Sequence, residues 1–139
     1  NCRFDPQRAV RLHEGADVTL VSTGFMTRFA LDAARELSAE GLKVDLLHYP
    51  SVKPFDAQTL VESARRTGAV VTVENQSIIG GLGSASCEVL SEQHPVRVKR
   101  LGIPDHFGEV ADQDYLFDKH GFGPQHIAKA CRELARAAT

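Results

Sequence analysis

Apolar positions along the chain fall into two alternating patterns. Short runs rich in β-branched residues, Val18-Thr19-Leu20-Val21, Val44-Asp45-Leu46-Leu47-His48-Tyr49 and Ala69-Val70-Val71-Thr72-Val73, have the length and composition of strands. The last of these loses its polar alternation, as a parallel strand covered on both faces does. Between them the apolar residues space out as on helices. Met26, Phe29, Ala30, Ala33 and Leu37 share one face, with Gly41 as the stop. Leu60, Val61 and Ala64 share another, started by an Asp56 cap and ended by Gly68. Ala85, Val89 and Leu90 mark a third helix, and Ile127, Cys131 and Leu134 mark one that begins at Pro124, a favoured first helical position. A further strand spans 96–101, halted by Gly102 and Pro104, and a short helix is expected around Tyr115-Leu116-Phe117. A weaker alternation at Ala9-Val10-Arg11-Leu12, ending at His13-Glu14-Gly15, suits an edge strand, antiparallel to the rest. Residues 1–8 read as a connector, because Pro6 removes a backbone donor and restrains Asp5, and 9–139 read as the domain. Strands alternating with helices predict an α/β fold, a three-layer α/β/α sandwich around a mostly parallel sheet. Right-handed crossovers then place helices on both sheet faces.

Composition narrows the function classes. The 139 residues carry 16 Lys+Arg against 18 Asp+Glu, so no electrostatic argument favours nucleic acid or an anionic membrane. No apolar run approaches the ~20 residues of a spanning helix. Trp is absent and only two Tyr are present, which disfavours stacking platforms for bases or sugars and a flavodoxin-type flavin site. Cys2, Cys87 and Cys131 are odd in number and widely spaced, so no disulfide framework is expected. Cys87 and Cys131 fall on apolar helix faces, where a thiol serves as a small buried hydrophobe. The chain starts with Asn rather than Met and shows no leader pattern, so a start within a longer or trimmed cytoplasmic protein is expected.

Ligands in such sheets gather beyond the carboxyl ends of the strands. Three turns emerge there: Ser22-Thr23-Gly24, the stretch from Glu74-Asn75 to Ser84, and residues 102–109. Gly80, Gly81 and Gly83 permit a tight turn into a helix, and Ser84 lies near the unpaired donors of its start. Those donors suit a phosphate or carboxylate. The competing reading has the glycines simply bringing helix and sheet close together. No Lys follows Gly83-Ser84 as a phosphate loop requires, and the glycine order misses the dinucleotide fingerprint. Glu74 is a candidate general acid or base, or else an acceptor that orders the turn. Asp105-His106 sets a carboxylate beside an imidazole, although adjacent side chains usually point apart; with Phe107 the pair also suits an interface. His13, His48, His94, His120 and His126 lack metal-ligand spacing, and no metal site is expected. Neither Ser22 nor Ser84 has the glycine flanks of a nucleophile elbow, and the 18–21 strand ends without a receiver domain's acidic cluster. No complete catalytic apparatus emerges.

Four stretches together carry a family resemblance: Val21-Ser22-Thr23-Gly24, Lys53-Pro54-Phe55-Asp56, the run from Val71-Thr72-Val73-Glu74-Asn75 to Gly80-Gly81-Leu82-Gly83-Ser84, and Leu101-Gly102-Ile103-Pro104-Asp105-His106-Phe107-Gly108. In this order and spacing the chain resembles the C-terminal domain of thiamine-diphosphate enzymes of the transketolase family. The resemblance implies a five-stranded mixed sheet with one antiparallel edge strand. It also implies that thiamine diphosphate and Mg2+ serve the complete enzyme, bound by two other domains across a dimer interface. The partners it implies are those cofactor-binding domains or a companion subunit, and a homodimer contact. Asp105, His106 and Phe107 become candidates for the interface or substrate entrance, while no catalytic or cofactor-binding residue is assigned. The family's diphosphate motif is not found in these residues, so the chain alone is not expected to bind the cofactor. Two departures stand out: Phe107-Gly108 runs into Glu109-Val110-Ala111, and Gly121-Phe122-Gly123-Pro124 replaces the usual start of the last helix. A transketolase-like protein, of a split-chain type that transfers two-carbon ketol units between sugar phosphates, is the leading reading. 1-Deoxyxylulose-5-phosphate synthase and the β subunit of 2-oxo-acid dehydrogenases stay open as alternatives. From other classes, an assembly module using Phe107, Tyr115, Phe117 and Phe122, or a small-anion-binding domain at the glycine turn, also stay open.

Overall fold

The computed structural model describes residues 5–138; residues 1–4 of the expected connector, Cys2 among them, and Thr139 lie outside the described residues. The elements run β1 (Val10–His13), β2 (Val18–Thr23), α1 (Met26–Ala39), β3 (Val44–Tyr49), α2 (Ala57–Thr67), β4 (Ala69–Ser77), α3 (Leu82–Gln93), β5 (Arg97–Ile103), α4 (Gln113–His120) and α5 (Pro124–Ala138). The strands form a five-stranded sheet in the order β1-β3-β2-β4-β5. β2 pairs in parallel with both β3 and β4, and β4 with β5, while β1 runs antiparallel to β3 at the edge. The α/β/α sandwich and its antiparallel edge strand are therefore as the sequence predicts.

Alternate residues of each strand face opposite layers, and both layers are apolar. Val18, Leu20, Leu46, Val71 and Val73 pack with α1 and α5, where Met26, Ala30, Ile127 and Cys131 are buried. Val21, Leu47 and Val70 turn to the other face, against Leu60, Ala64, Leu82 and Leu90 of α2 and α3. Consecutive Val70 and Val71 thus serve two cores at once, which is why the stretch loses its polar alternation; its single polar residue, Thr72, is buried too. Asp56 caps α2 by accepting from the Thr59 amide at 3.1 Å, and Gly68 closes it with a left-handed φ of 71°.

The structure differs from the sequence expectation at several points. β4 continues four residues past Val73 to Ser77, and α3 starts at Leu82, so Gly83 and Ser84 sit inside its first turn rather than before it. Phe117 and Phe122 are buried (7% and 2% exposed), so they are core rather than docking aromatics. Their rings lie 4.9 Å apart, and Phe29 of α1 meets Phe117 at 5.2 Å, joining the α4–α5 corner to the main core. Cys131 is buried as expected, whereas Cys87 is only half-buried. The sheet's other edge, β5, exposes Arg97 and Lys99, charges that discourage pairing with a foreign strand.

Candidate functional site

Glu74 lies on the face of β4 that looks toward α3, and it is fully buried. One carboxylate oxygen, Oε2, accepts from the Leu82 amide, and Oε1 accepts from the Gly83 amide, each at 2.8 Å. The Gln76 side-chain amide also donates to Oε2, at 3.2 Å. A carboxylate on the first amides of a helix satisfies donors that have no partner within the helix and meets the positive end of its dipole. The glycines follow from this contact. A Cβ on Gly81 would stand 2.0 Å from Glu74 Oε2, and one on Gly83 would stand 2.9 Å from Thr72 Oγ1 and from the Arg100 stem. Gly80 holds a left-handed φ of 78°, its amide donating to Ser84 Oγ at 2.9 Å. Ser84 Oγ in turn donates to the Ile78 carbonyl at 3.1 Å, and Arg100 donates to the same carbonyl at 2.7 Å. Glu74, Gly80, Gly81, Gly83 and Ser84 are thus brought together around a helix start whose leading amides already hold an anion, the chain's own carboxylate. Beneath them Thr72 Oγ1 is buried without a hydrogen-bond partner.

Asp105, His106 and Phe107 lie elsewhere, on the irregular segment between β5 and α4. This segment and the start of α4 form an arm in which every residue from 105 to 115 is exposed, Phe107 and Val110 completely. Behind the arm lies a cavity of about 360 Å3, lined by Phe25, Asn75, Ile103, Leu116, His120 and Phe122 among others. Phe25 follows β2, Asn75 lies near the end of β4 and Ile103 ends β5, so the cavity sits beyond the carboxyl ends of the strands. It also borders the β2–β4 junction, where the chain order reverses, the usual place for a ligand crevice in such a sheet. The His106 ring faces His120, with centroids 6.2 Å apart, and Lys119 is ion-paired to Glu109, which holds the ammonium above its ordinary pKa. Of these groups Glu109 and His120 line the apolar cavity, and all four border a second hollow on the arm.

Two clusters were not legible as sites in the sequence. Near the carboxyl ends of β2 and β3, Ser22 Oγ lies 3.1 Å from Thr27 Oγ1, which lies 2.8 Å from His48 Nδ1. Burial pushes the His48 imidazole below its ordinary pKa. Thr27 stands between serine and histidine, so Ser22 has no direct contact with a base. At the opposite end of the sheet, buried Asp45 on β3 accepts from Arg11 (3.0 Å), Arg66 (2.6 Å) and the Ser63 hydroxyl, and the Gly15 amide lies at 3.4 Å. Thr19 Oγ1 extends the network to Ser63 (2.6 Å) and Thr67 (2.7 Å). Arg11, Asp45 and the pair Ser63 and Arg66 come from three separate stretches of sequence, β1, β3 and α2, and only the fold unites them. Among the described residues no group of three or more His, Cys, Asp or Glu side chains could hold a metal, and no helix is long and apolar enough to cross a membrane.

Comparison with known proteins places this arrangement. Residues 7–127 match the family described as "Transketolase, C-terminal domain". The chain is similar to the "6-deoxy-6-sulfo-D-fructose transketolase subunit SqwH" of Clostridium sp. (strain MSTE9), 47% identical over 134 residues, covering 96% of this chain and 42% of that protein. It is also similar to the 1-deoxy-D-xylulose-5-phosphate synthase of Heliobacterium modesticaldum, 38% identical over 94% of this chain and 20% of the relative. Among solved structures, one described as "Split gene transketolase, inactive beta4 tetramer" superposes with a TM-score of 0.92 at 46% identity, covering 99% of this chain and 45% of that one. The transketolase from Leishmania mexicana gives a TM-score of 0.69 at 26% identity, covering 95% of this chain and 18% of the other. The chain therefore spans less than half the length of these relatives.

Proposed function

The chain belongs to the transketolase C-terminal domain family, and from that premise we propose that it is the supporting domain or subunit of a transketolase-like enzyme in the cytoplasm. The complete enzyme would move two-carbon ketol units between sugar phosphates, with this portion aiding dimer assembly and shaping the substrate entrance. The observation that carries the reading is the kinship with a transketolase subunit along nearly the whole chain. Thiamine diphosphate with Mg2+ would supply the carbanion chemistry of such an enzyme. The donors of this chain do not fit that group: Glu74 engages the leading amides of α3, and its charge opposes a diphosphate there. The cofactor is therefore assigned to the companion domains or subunit.

Two measurements test the proposal. Titration of the isolated chain with thiamine diphosphate and Mg2+ should give no saturable heat, and micromolar binding would overturn the assignment. Combined with the cofactor-binding companion half, the chain should complete an enzyme that transfers a ketol unit to an aldose phosphate acceptor. Donors to compare are fructose 6-phosphate and its 6-deoxy-6-sulfo analogue, since one relative's name carries that sulfosugar. Likeness to 1-deoxyxylulose-5-phosphate synthases supports a second reading; turnover of pyruvate with glyceraldehyde 3-phosphate, and none of a ketose donor, would select it.

A further inference from the structure

We infer that the hollow behind the 105–115 arm is a binding site for a small organic cation, an ammonium group carried on an apolar body. Its walls gather a large share of the chain's few aromatic rings. The chain has seven Phe and no Trp, yet Phe25, Phe29, Phe117, Phe122 and His120 form one continuous arc. Successive ring centroids along it lie 5.3, 5.2, 4.9 and 6.4 Å apart. Phe29 stands behind the others, and the remaining four line the cavity of about 360 Å3. Packing alone does not account for the arc. Phe117 and Phe122 are buried, but Phe25 stays 45% exposed at the wall of the cavity instead of filling it. A mostly apolar pocket of this volume with a few polar groups is what a small ligand needs. The face of an aromatic ring carries negative charge density and attracts a cation held within about 6 Å of its centroid. The surrounding charge selects the same sign. Among the described residues that line the hollow, Glu109 is the one acid and none is Lys or Arg. Across residues 105–120, Asp105, Glu109, Asp112, Asp114 and Asp118 stand against Lys119 alone, and Lys119 is ion-paired to Glu109. An anion entering an apolar hollow in that field is repelled, and a cation is drawn in. The side-chain amides of Asn75 and Gln113, which also line the hollow, offer carbonyl oxygens to an ammonium. The inference goes beyond the proposed function and stands on this chain's own groups.

The test titrates three probes of nearly one shape: benzylammonium, neutral benzyl alcohol and anionic benzoate. This chain, isotopically labelled, is titrated both alone and assembled with its unlabelled companion half. Benzylammonium should give saturable amide shifts at Phe25, Gln113, Leu116 and His120, and should bind at least about tenfold more tightly than the alcohol. Benzoate should give none. Phe25→Leu keeps an apolar wall and removes the ring, so it should weaken the ammonium about threefold or more and leave the alcohol nearly unchanged. Lys119→Gln removes the competing cation and frees Glu109, so it should tighten the ammonium about threefold at low ionic strength and less at high salt. Both side chains are exposed, so unchanged melting of the variants serves as the control for folding. Four results overturn the inference: no saturable ammonium binding, equal binding of ammonium and alcohol, saturable binding of benzoate, or an ammonium affinity that ignores Phe25→Leu. Binding to the chain alone that vanishes in the assembly overturns it too, because the companion half would then fill the hollow. Should no assembly form, the proposed function fails, and the titration of the chain alone still decides the site.

Discussion

At the scale of single residues, the contact between Glu74 and Gly81 explains more of the turn than any backbone preference. Gly81 has a negative φ of −99°, so the requirement for glycine there is one of space. Gly81→Ala must drive the carboxylate off the Leu82 and Gly83 amides, and Glu74→Gln places an amide donor against one of them. Each should cost about 1–3 kcal/mol, the range for leaving buried polar groups unmatched, read as a lowered urea midpoint. The sequence reading ties the glycines to backbone freedom, which fits Gly80 alone of the three. Thr72 offers the opposite case, since its buried hydroxyl has no partner. Thr72→Val keeps the shape and removes the unmatched group, so it should raise stability by about 1 kcal/mol in the same assay. His48 gives a pH signature. Burial holds its folded pKa below the ordinary 6.5, so the unfolded chain takes up the proton first as pH falls. Its contribution is intact above the ordinary imidazole pKa and is lost as pH falls through that value toward the folded one. Urea midpoints measured between about pH 5 and 8 should show this decline, and His48→Gln should flatten it.

Among the elements, β1 is held by a mechanism unlike that of the others. It is four residues long, pairs on one side only, and carries a bulge where Arg11 and His13 pair with adjacent residues of β3. Besides its ladder with β3 it is tied by the Arg11–Asp45 ion pair, and Arg66 binds the same carboxylate from α2. Asp45→Asn should therefore loosen β1 ahead of the parallel strands. Amides of Val10 and Arg11 should gain exchange by about tenfold or more while those of Val70 and Val71 change little; uniform loss across the sheet would contradict this. The interior strands, α2 and α5 were legible in sequence because one local signal fixes each: a β-branched run, the Asp56 cap, the Pro124 start. The extension of β4 and the first turn of α3 were not, because polar Glu74, Asn75, Gln76 and Ser77 resemble a loop until the carboxylate finds its helix. The Asp45 network was hidden for a related reason: its members are ordinary polar residues made significant only by the pairing of β1, β3 and α2. For the site, the sequence picked out the residues around Glu74 and the 105–107 segment, but it could not order Phe107 and Tyr115 outside and Phe117 and Phe122 inside. That sorting depends on how the α4–α5 corner folds against Phe29.

For the whole molecule, one sheet is shared by two apolar layers, so neither layer can dissolve without exposing the other's strands. Unfolding should accordingly be a single transition. The near-ultraviolet signal of Tyr49, which lies in the α2–α3 layer stacked on Phe55 at 4.6 Å, should be lost together with far-ultraviolet helix signal from both faces. Separate midpoints would mean that the layers are independent. The same sheet carries two contrasting features at its carboxyl end, an open apolar arm and a closed glycine turn. The closed turn has a consequence for how the protein acquires chemistry at all. A counter-charge tethered to its own backbone has a high effective concentration there, so a dissolved metabolite competes for the position at a disadvantage. A sheet of this architecture elsewhere captures nucleotides at such a helix start; here the chain's own carboxylate sits on those amides, and a dissolved anion would have to displace it.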